Sequence, residues 1–249
     1  MGYTNIGLVK HAKMALALHT KYMWGGILRL IDTNYYNQLH DYWGNYPGSG
    51  YTDKRWAELK SLIGKNYYGC DCVGLIKSYY WSGKDDGGTG SPNYAKTGYP
   101  DVNANLMYNA AKVKGSIASL PEVPGVIVYC KTHPHVGVYI GNGEVIESTL
   151  GSRGDGVVKT KLSAFKWEYW FECPYIDYIK TAAQTKVTIN VGDKVKIKKT
   201  AQFYAIVGKK IAIPDYVKNK KFTVANVSGT KSLIKEIYSW VNNSDLEKV

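Results

Sequence analysis

Apolar and polar positions change texture three times along the chain, and each texture predicts different elements. Over residues 5–19, Ile6, Val9, Met14, Ala17 and Leu18 form an imperfect helical stripe. Over residues 72–81 the stripe is cleaner: Cys72, Leu75, Ile76 and Tyr79 follow the i, i+3, i+4, i+7 rule, with Asp71 just ahead as an N-cap. Residues 27–66, rich in Tyr, Asn and Gly, read as an inserted loop-rich segment carrying one short helix over 53–63. Residues 82–98 are punctuated by Gly, Pro, Ser and Asp and read as a loop, followed by a helix over 103–114. Strand patterns begin at 126–129. Residues 136–140 and 144–148 then flank Gly141-Asn142-Gly143, a strong hairpin signal.

Past residue 186 the pattern turns to short alternating runs at 187–189, 194–198, 222–227 and 233–238, separated by Gly192-Asp193, Ile213-Pro214-Asp215 and Ser228-Gly229. Such short strands suggest a small β-barrel. The polar stretch 177–186 reads as the linker, giving an α+β unit over 1–180 and a β unit over 187–249.

Charge sharpens this division. The chain carries a formal +12, and residues 187–249 hold 12 Lys against 5 acidic residues, so +7 lies in the last unit. A basic module favours polyanions such as nucleic acid, anionic lipid or a wall bearing teichoic acid. No helix-turn-helix or RNP-like pattern supports nucleic acid. No apolar run approaches a membrane span, and the first 20 residues lack the apolar block of a secretory signal. The 22 tyrosines and seven tryptophans suit a groove for sugar or peptide. The four cysteines, Cys70, Cys72, Cys130 and Cys173, form no CxxC pair, so neither a disulfide scaffold nor a zinc knuckle is indicated.

One cysteine sits where chemistry is possible. Cys72 would open its helix, where unpaired amides favour a thiolate. Cys70 lies off the helix, and Cys130 and Cys173 follow apolar runs as small buried residues. His135 opens the first strand of the hairpin. Symmetric pairing about Gly141-Asn142-Gly143 sets Ile140 against Glu144 and Gly137 against Glu147, leaving Glu147 diagonal to His135 on one face. Gly137 would leave room for their contact, and a carboxylate there would orient the imidazole. His133 is a rival base held in a looser setting. Tyr22, in Tyr22-Met23-Trp24-Gly25-Gly26, could aim a phenol at a reacting carbonyl, with Trp24, Asp71 and Val73 as candidate substrate contacts.

These words resemble a known family. Residues 6–178 resemble the NlpC/P60 cysteine peptidases through YMWGG, DCVGL and HVGVYIGNG. The resemblance implies a papain-like fold, with Cys72 as nucleophile, His135 as base, Glu147 as the third polar residue and Tyr22 on the oxyanion side. It implies cleavage of a peptidoglycan stem-peptide amide, the γ-D-glutamyl bond to the third residue, with no cofactor or metal. Val73 stands where the family usually has Ser, Glu147 where it usually has His, Asn or Gln, and an insertion of about forty residues separates Tyr22 from the nucleophile. Residues 187–249 resemble SH3-type wall-binding domains of lytic enzymes through VGDKVKIKKTAQFYA and LIKEIYSWVNNSDL, with Tyr204, Tyr216 and Trp240 as candidate wall contacts. The expected partner is bacterial peptidoglycan, with wall teichoic acid a further candidate. The combination implies a phage-type endolysin made in the host cytoplasm and released to the wall by a holin. Two alternatives stand beside it: an N-acetylmuramoyl-L-alanine amidase, and a non-catalytic wall-binding protein.

Overall fold

Contacts divide the chain into two units, residues 1–180 and 181–249. The computed structural model describes residues 2–82, 98–179, 189–206, 208–218 and 220–249. Apart from its two end residues, the expected loop 82–98 lies outside the described residues, as does most of the expected strand 187–189 and of the linker.

The first unit is α+β. Its elements are α1 (Asn5–Leu16), β1 (Thr20–Tyr22), β2 (Arg29–Leu30), α2 (Thr33–Trp43), α3 (Asp53–Lys60), β3 (Tyr68–Cys70), α4 (Cys72–Trp81), α5 (Ala104–Ala110), β4 (Lys114–Ser116), β5 (Ile127–Cys130), β6 (His135–Gly141), β7 (Glu144–Gly151), β8 (Gly154–Lys161) and β9 (Tyr169–Phe171). A six-stranded sheet runs in the order β4-β9-β5-β6-β7-β8, and a three-stranded sheet in the order β1-β3-β2.

Capping sets where the two core helices begin. Thr4 Oγ1 accepts from the Gly7 amide at 3.1 Å and starts α1, which stops at Leu16, short of the expected 19, where the chain turns into β1. Asp71 caps α4 in the same way by accepting from the Gly74 amide. All ten residues of α4 are buried, so this helix is covered all round rather than along one stripe. Leu75, Ile76 and Tyr79 join Leu8 and Ala12 of α1 and Val136, Val138 and Ile146 of the large sheet in one core. Each such aliphatic side chain contributes about 1.5–3 kcal/mol on burial.

The hairpin pairs Val138 with Ile146 and Tyr139 with Val145, as the sequence pattern implies, but then slips by one. Gly141, and not Ile140, faces Glu144, because Gly141, Asn142 and Gly143 all take positive φ and the strand bulges to close the turn. The helix expected over 103–114 stops at Ala110, since Ala111 is extended and Lys114 already pairs with Phe171 in the sheet. The inserted segment is more ordered than its composition suggests. It contains α2, capped by Asp32, and α3, and these pack Tyr35, Tyr36, Leu39, Trp56 and Leu59 into a core of their own.

The second unit contains β10 (Lys194–Ile197), β11 (Lys221–Ser228), β12 (Lys231–Ile234), β13 (Ser239–Asn242) and β14 (Leu246–Lys248). They form one sheet in the order β13-β12-β11-β10-β14, over buried Val195, Ile197, Phe222, Val224, Ile234, Val241 and Leu246. Among the described residues nothing pairs β13 with β14, so the expected barrel is seen as an open sheet. The run 233–238 is not one strand: residues 235–238 turn, with Tyr238 at φ +48° and 83% exposed, and β12 pairs back on β13. Among the described residues no helix is long and apolar enough to cross a membrane.

Candidate active site

The first turn of α4 is pressed against the glycine turn that follows β1. The Asp71 amide donates to the Gly26 carbonyl at 3.0 Å, and the second Asp71 carboxylate oxygen accepts from the Gly25 amide at 2.9 Å. The approach is so close that a Cβ on Gly74 would stand 1.8 Å from the Gly26 carbonyl oxygen. The DCxG and WGG words of the sequence are therefore two sides of one contact, and glycine at 74 is what lets them meet. Cys72 is fixed by this contact as the first residue of α4.

His135 reaches the thiol from the start of β6. Its Nε2 donates to Glu147 Oε2 at 2.6 Å, and the ring interacts electrostatically with Cys72. Burial of the imidazole works against its charged form. Its interaction with Cys72, and then with Glu147, outweighs burial and raises His135 to about 9. Trp167 stacks on the imidazole at 5.5 Å and 14° and fixes the plane of the ring.

Glu147 is fully buried, and the donors around it explain how a buried carboxylate stays charged. Burial pushes its carboxyl up, but the bonds from His135, from Arg153 Nε and Nη2 (3.1 Å each) and from Thr160 Oγ1 (2.8 Å) hold it below the ordinary carboxylate range. Arg153 is held in turn over the Phe165 ring at 4.0 Å. The space at Gly137 is used otherwise than the pattern suggested: a Cβ there would strike Val145 at 2.5 Å and Trp167 at 3.2 Å, so this glycine seats the ring that stacks on His135.

Tyr22 stands at the end of β1, opposite Cys70 in β3. Burial first, and then the negative charges of Cys72 and Asp71, raise its phenol well above the ordinary value, so it is a proton donor at any working pH. Its backbone is gripped on both sides: the amide donates to Asp155 Oδ1 at 3.1 Å and the carbonyl accepts from Arg55 Nη2 at 2.7 Å. Arg55 and Asp155 also pair bidentately at 2.7 Å, joined by Lys21 and Glu58. The inserted α3 thus braces the strand that presents Tyr22. Ser148 donates to the Cys70 carbonyl at 2.8 Å and ties the base-bearing hairpin to the nucleophile's approach.

The remaining thiols are set apart. Cys70 is fully buried and burial pushes its thiol far up, while Cys173 is pushed up to about 12 by burial. His133 is exposed in the β5–β6 turn, where its amide donates to Cys130 Sγ. Among the described residues no three His, Cys, Asp or Glu side chains converge as a metal site.

A cleft of about 680 Å³ opens over the thiol and is lined by Tyr22, Trp24, Asp71, Cys72 and Val73 together with residues of α2 and α5. In the second unit Tyr204 packs partly into the core, Trp240 sits in β13 half-buried and Tyr216 is 73% exposed. Arg153, Thr160, Ser148, Trp167, Arg55 and Asp155 escaped sequence reasoning. Of these only Arg153 and Asp155, both in the RGDG run 153–156, carry any local signal.

No family model matches the chain, and no curated protein sequence matches it. Among solved structures, the peptidoglycan hydrolase RipB of Mycobacterium tuberculosis aligns with 70% of this chain and 65% of its own, at 20% identity and a TM-score of 0.38. A likeness at that level carries no functional weight beside the site's own geometry.

Proposed function

We propose that the first unit is a thiol hydrolase of peptidoglycan. The observation that carries this is that His135 bonds the buried, arginine-backed carboxylate of Glu147 and interacts electrostatically with the helix-opening Cys72. The substrate comes from the NlpC/P60 resemblance of YMWGG, DCVGL and HVGVYIGNG, and with it a papain-like arrangement of the unit.

In this reading the Cys72 thiolate attacks the carbonyl of a stem-peptide amide, the γ-D-glutamyl bond to the third residue. The His135 imidazolium supplies the proton that the leaving amine takes, and the neutral imidazole then draws a proton from the water that releases the acyl enzyme. Glu147 keeps the ring oriented and its charge balanced. The Cys72 amide and the Tyr22 phenol would meet the oxyanion, a role worth about 10²–10³ in rate for a single donor. The second unit would hold the enzyme on the wall through Tyr216, Tyr204 and Trp240, raising the local substrate concentration.

Digestion of purified bacterial walls, with fragments read by mass spectrometry, tests the reaction. A new amine on the third stem residue is expected. A new amine on L-alanine with the stem intact would make the protein an amidase instead, and unaltered walls would leave it a binder without activity.

A further inference from the structure

The cleft beside Cys72 has two features that catalysis does not use. One is a wall of rings supplied by Trp24 and by the end of α2 and its following turn. Trp43 meets Tyr46 edge-on at 5.1 Å and Tyr42 at 4.8 Å, and Tyr46 lies nearly parallel to Trp24 at 6.2 Å. Tyr42 is 76% and Tyr46 50% exposed, yet all four rings line the same cleft as the nucleophile. Rings locked against one another present apolar faces with little ordering cost on binding, while their hydroxyls keep contact with water.

The other feature concerns charge. The described residues lining the cleft include two carboxylates, and both are committed. Asp71 accepts from the Gly25 and Gly74 amides, and Asp101 pairs with Lys77. A stem peptide with a free N-terminal ammonium would find no uncommitted carboxylate among them. A stem whose N-terminus is acylated brings no such charge.

We propose that the wall formed by Trp24, Tyr42, Trp43 and Tyr46 is a saccharide subsite, and that the cleft takes stem peptide still joined to its N-acetylated amino sugar. This rests on the peptidoglycan reading above and narrows it. A pyranose offers a face of C–H groups that packs on an aromatic face, and its hydroxyls remain free for water and the neighbouring amides. In the intact polymer the acyl group on the stem's N-terminus is the sugar's own lactyl arm. One substrate therefore satisfies both the rings and the two committed carboxylates among the described lining residues.

The test compares release of the same γ-glutamyl bond from two substrates by the full chain: a disaccharide-linked stem peptide and the same peptide with a free N-terminus. The expected kcat/KM ratio is at least about tenfold in favour of the saccharide-linked form, equivalent to about 1.4 kcal/mol. Tyr42→Ala and Tyr46→Ala, both at exposed positions, should each shrink that ratio through KM. Equal kcat/KM on the two substrates, or a ratio that neither substitution moves, overturns the subsite while leaving the hydrolase intact. Cleavage of neither substrate overturns the hydrolase reading and the subsite together.

Discussion

Glu147→Gln keeps the size of the side chain and removes the charge that His135 leans on. The carboxylate is fully buried and lies 2.6 Å from Nε2, so solvent screens little of the interaction. A hydrogen bond to a charged partner contributes about 1.5–3 kcal/mol, and one pKa unit corresponds to about 1.36 kcal/mol. Losing it should lower the His135 pKa by about 1–2 from its value of about 9, leaving Cys72 to oppose burial alone. The basic limb of the kcat/KM profile, set by loss of the imidazolium proton, moves down into the neutral range. The same energy appears in kcat as a loss of roughly 10- to 100-fold. Stability follows with a definite sign. A histidine whose folded pKa is raised contributes stability that is fully present below its unfolded value near 6.5 and is lost as pH rises through about 9. In the variant that loss should complete at lower pH. Initial rates on a soluble stem-peptide substrate between pH 5 and 10, with thermal melts across the same range, measure both. An unmoved basic limb together with a rate within about twofold of wild type would refute this account of Glu147.

Two further predictions follow from the site's construction. Tyr22→Phe should lower kcat by roughly 10²-fold with little change in KM, because the phenol is assigned to the oxyanion and not to ground-state binding; steady-state kinetics separate the two constants. Gly74→Ala must push a methyl group into the Gly26 carbonyl, a cost of about 3 kcal/mol that should lower Tm by about 6–12 °C in calorimetry.

What could be read in the sequence was what is encoded locally. Asp71 as cap, Cys72 as first helical residue and the Gly-Asn-Gly turn each depend on a few adjacent residues, and all three stand in the structure. The bulge at Ile140 depends on how three positive φ angles close one turn, which the alternation of side chains does not record. Arg153 and Thr160 reach Glu147 only because β8 folds back along β7, and Trp167 reaches His135 only because the chain returns ahead of β9 to pair beside β5. The Arg55–Asp155 pair joins residues a hundred positions apart. The inserted segment was hidden for a different reason. Tyr and Asn have middling helix propensity, so α2 owes its existence to burial of Tyr35, Tyr36 and Leu39 against Trp56 and Leu59.

The central claim is that one thiol, Cys72, performs the chemistry on the wall. The most direct measurement follows wall clearing and fragment release by the wild-type chain, Cys72→Ala and Cys70→Ala, alongside intact-mass detection of iodoacetamide labelling at neutral pH. The account predicts a single alkylation at Cys72 that stops wall cleavage, no fragments from Cys72→Ala, and cleavage within about threefold of wild type for Cys70→Ala, whose thiol is buried away from the cleft. Wall fragments released by Cys72→Ala at the wild-type rate would contradict it.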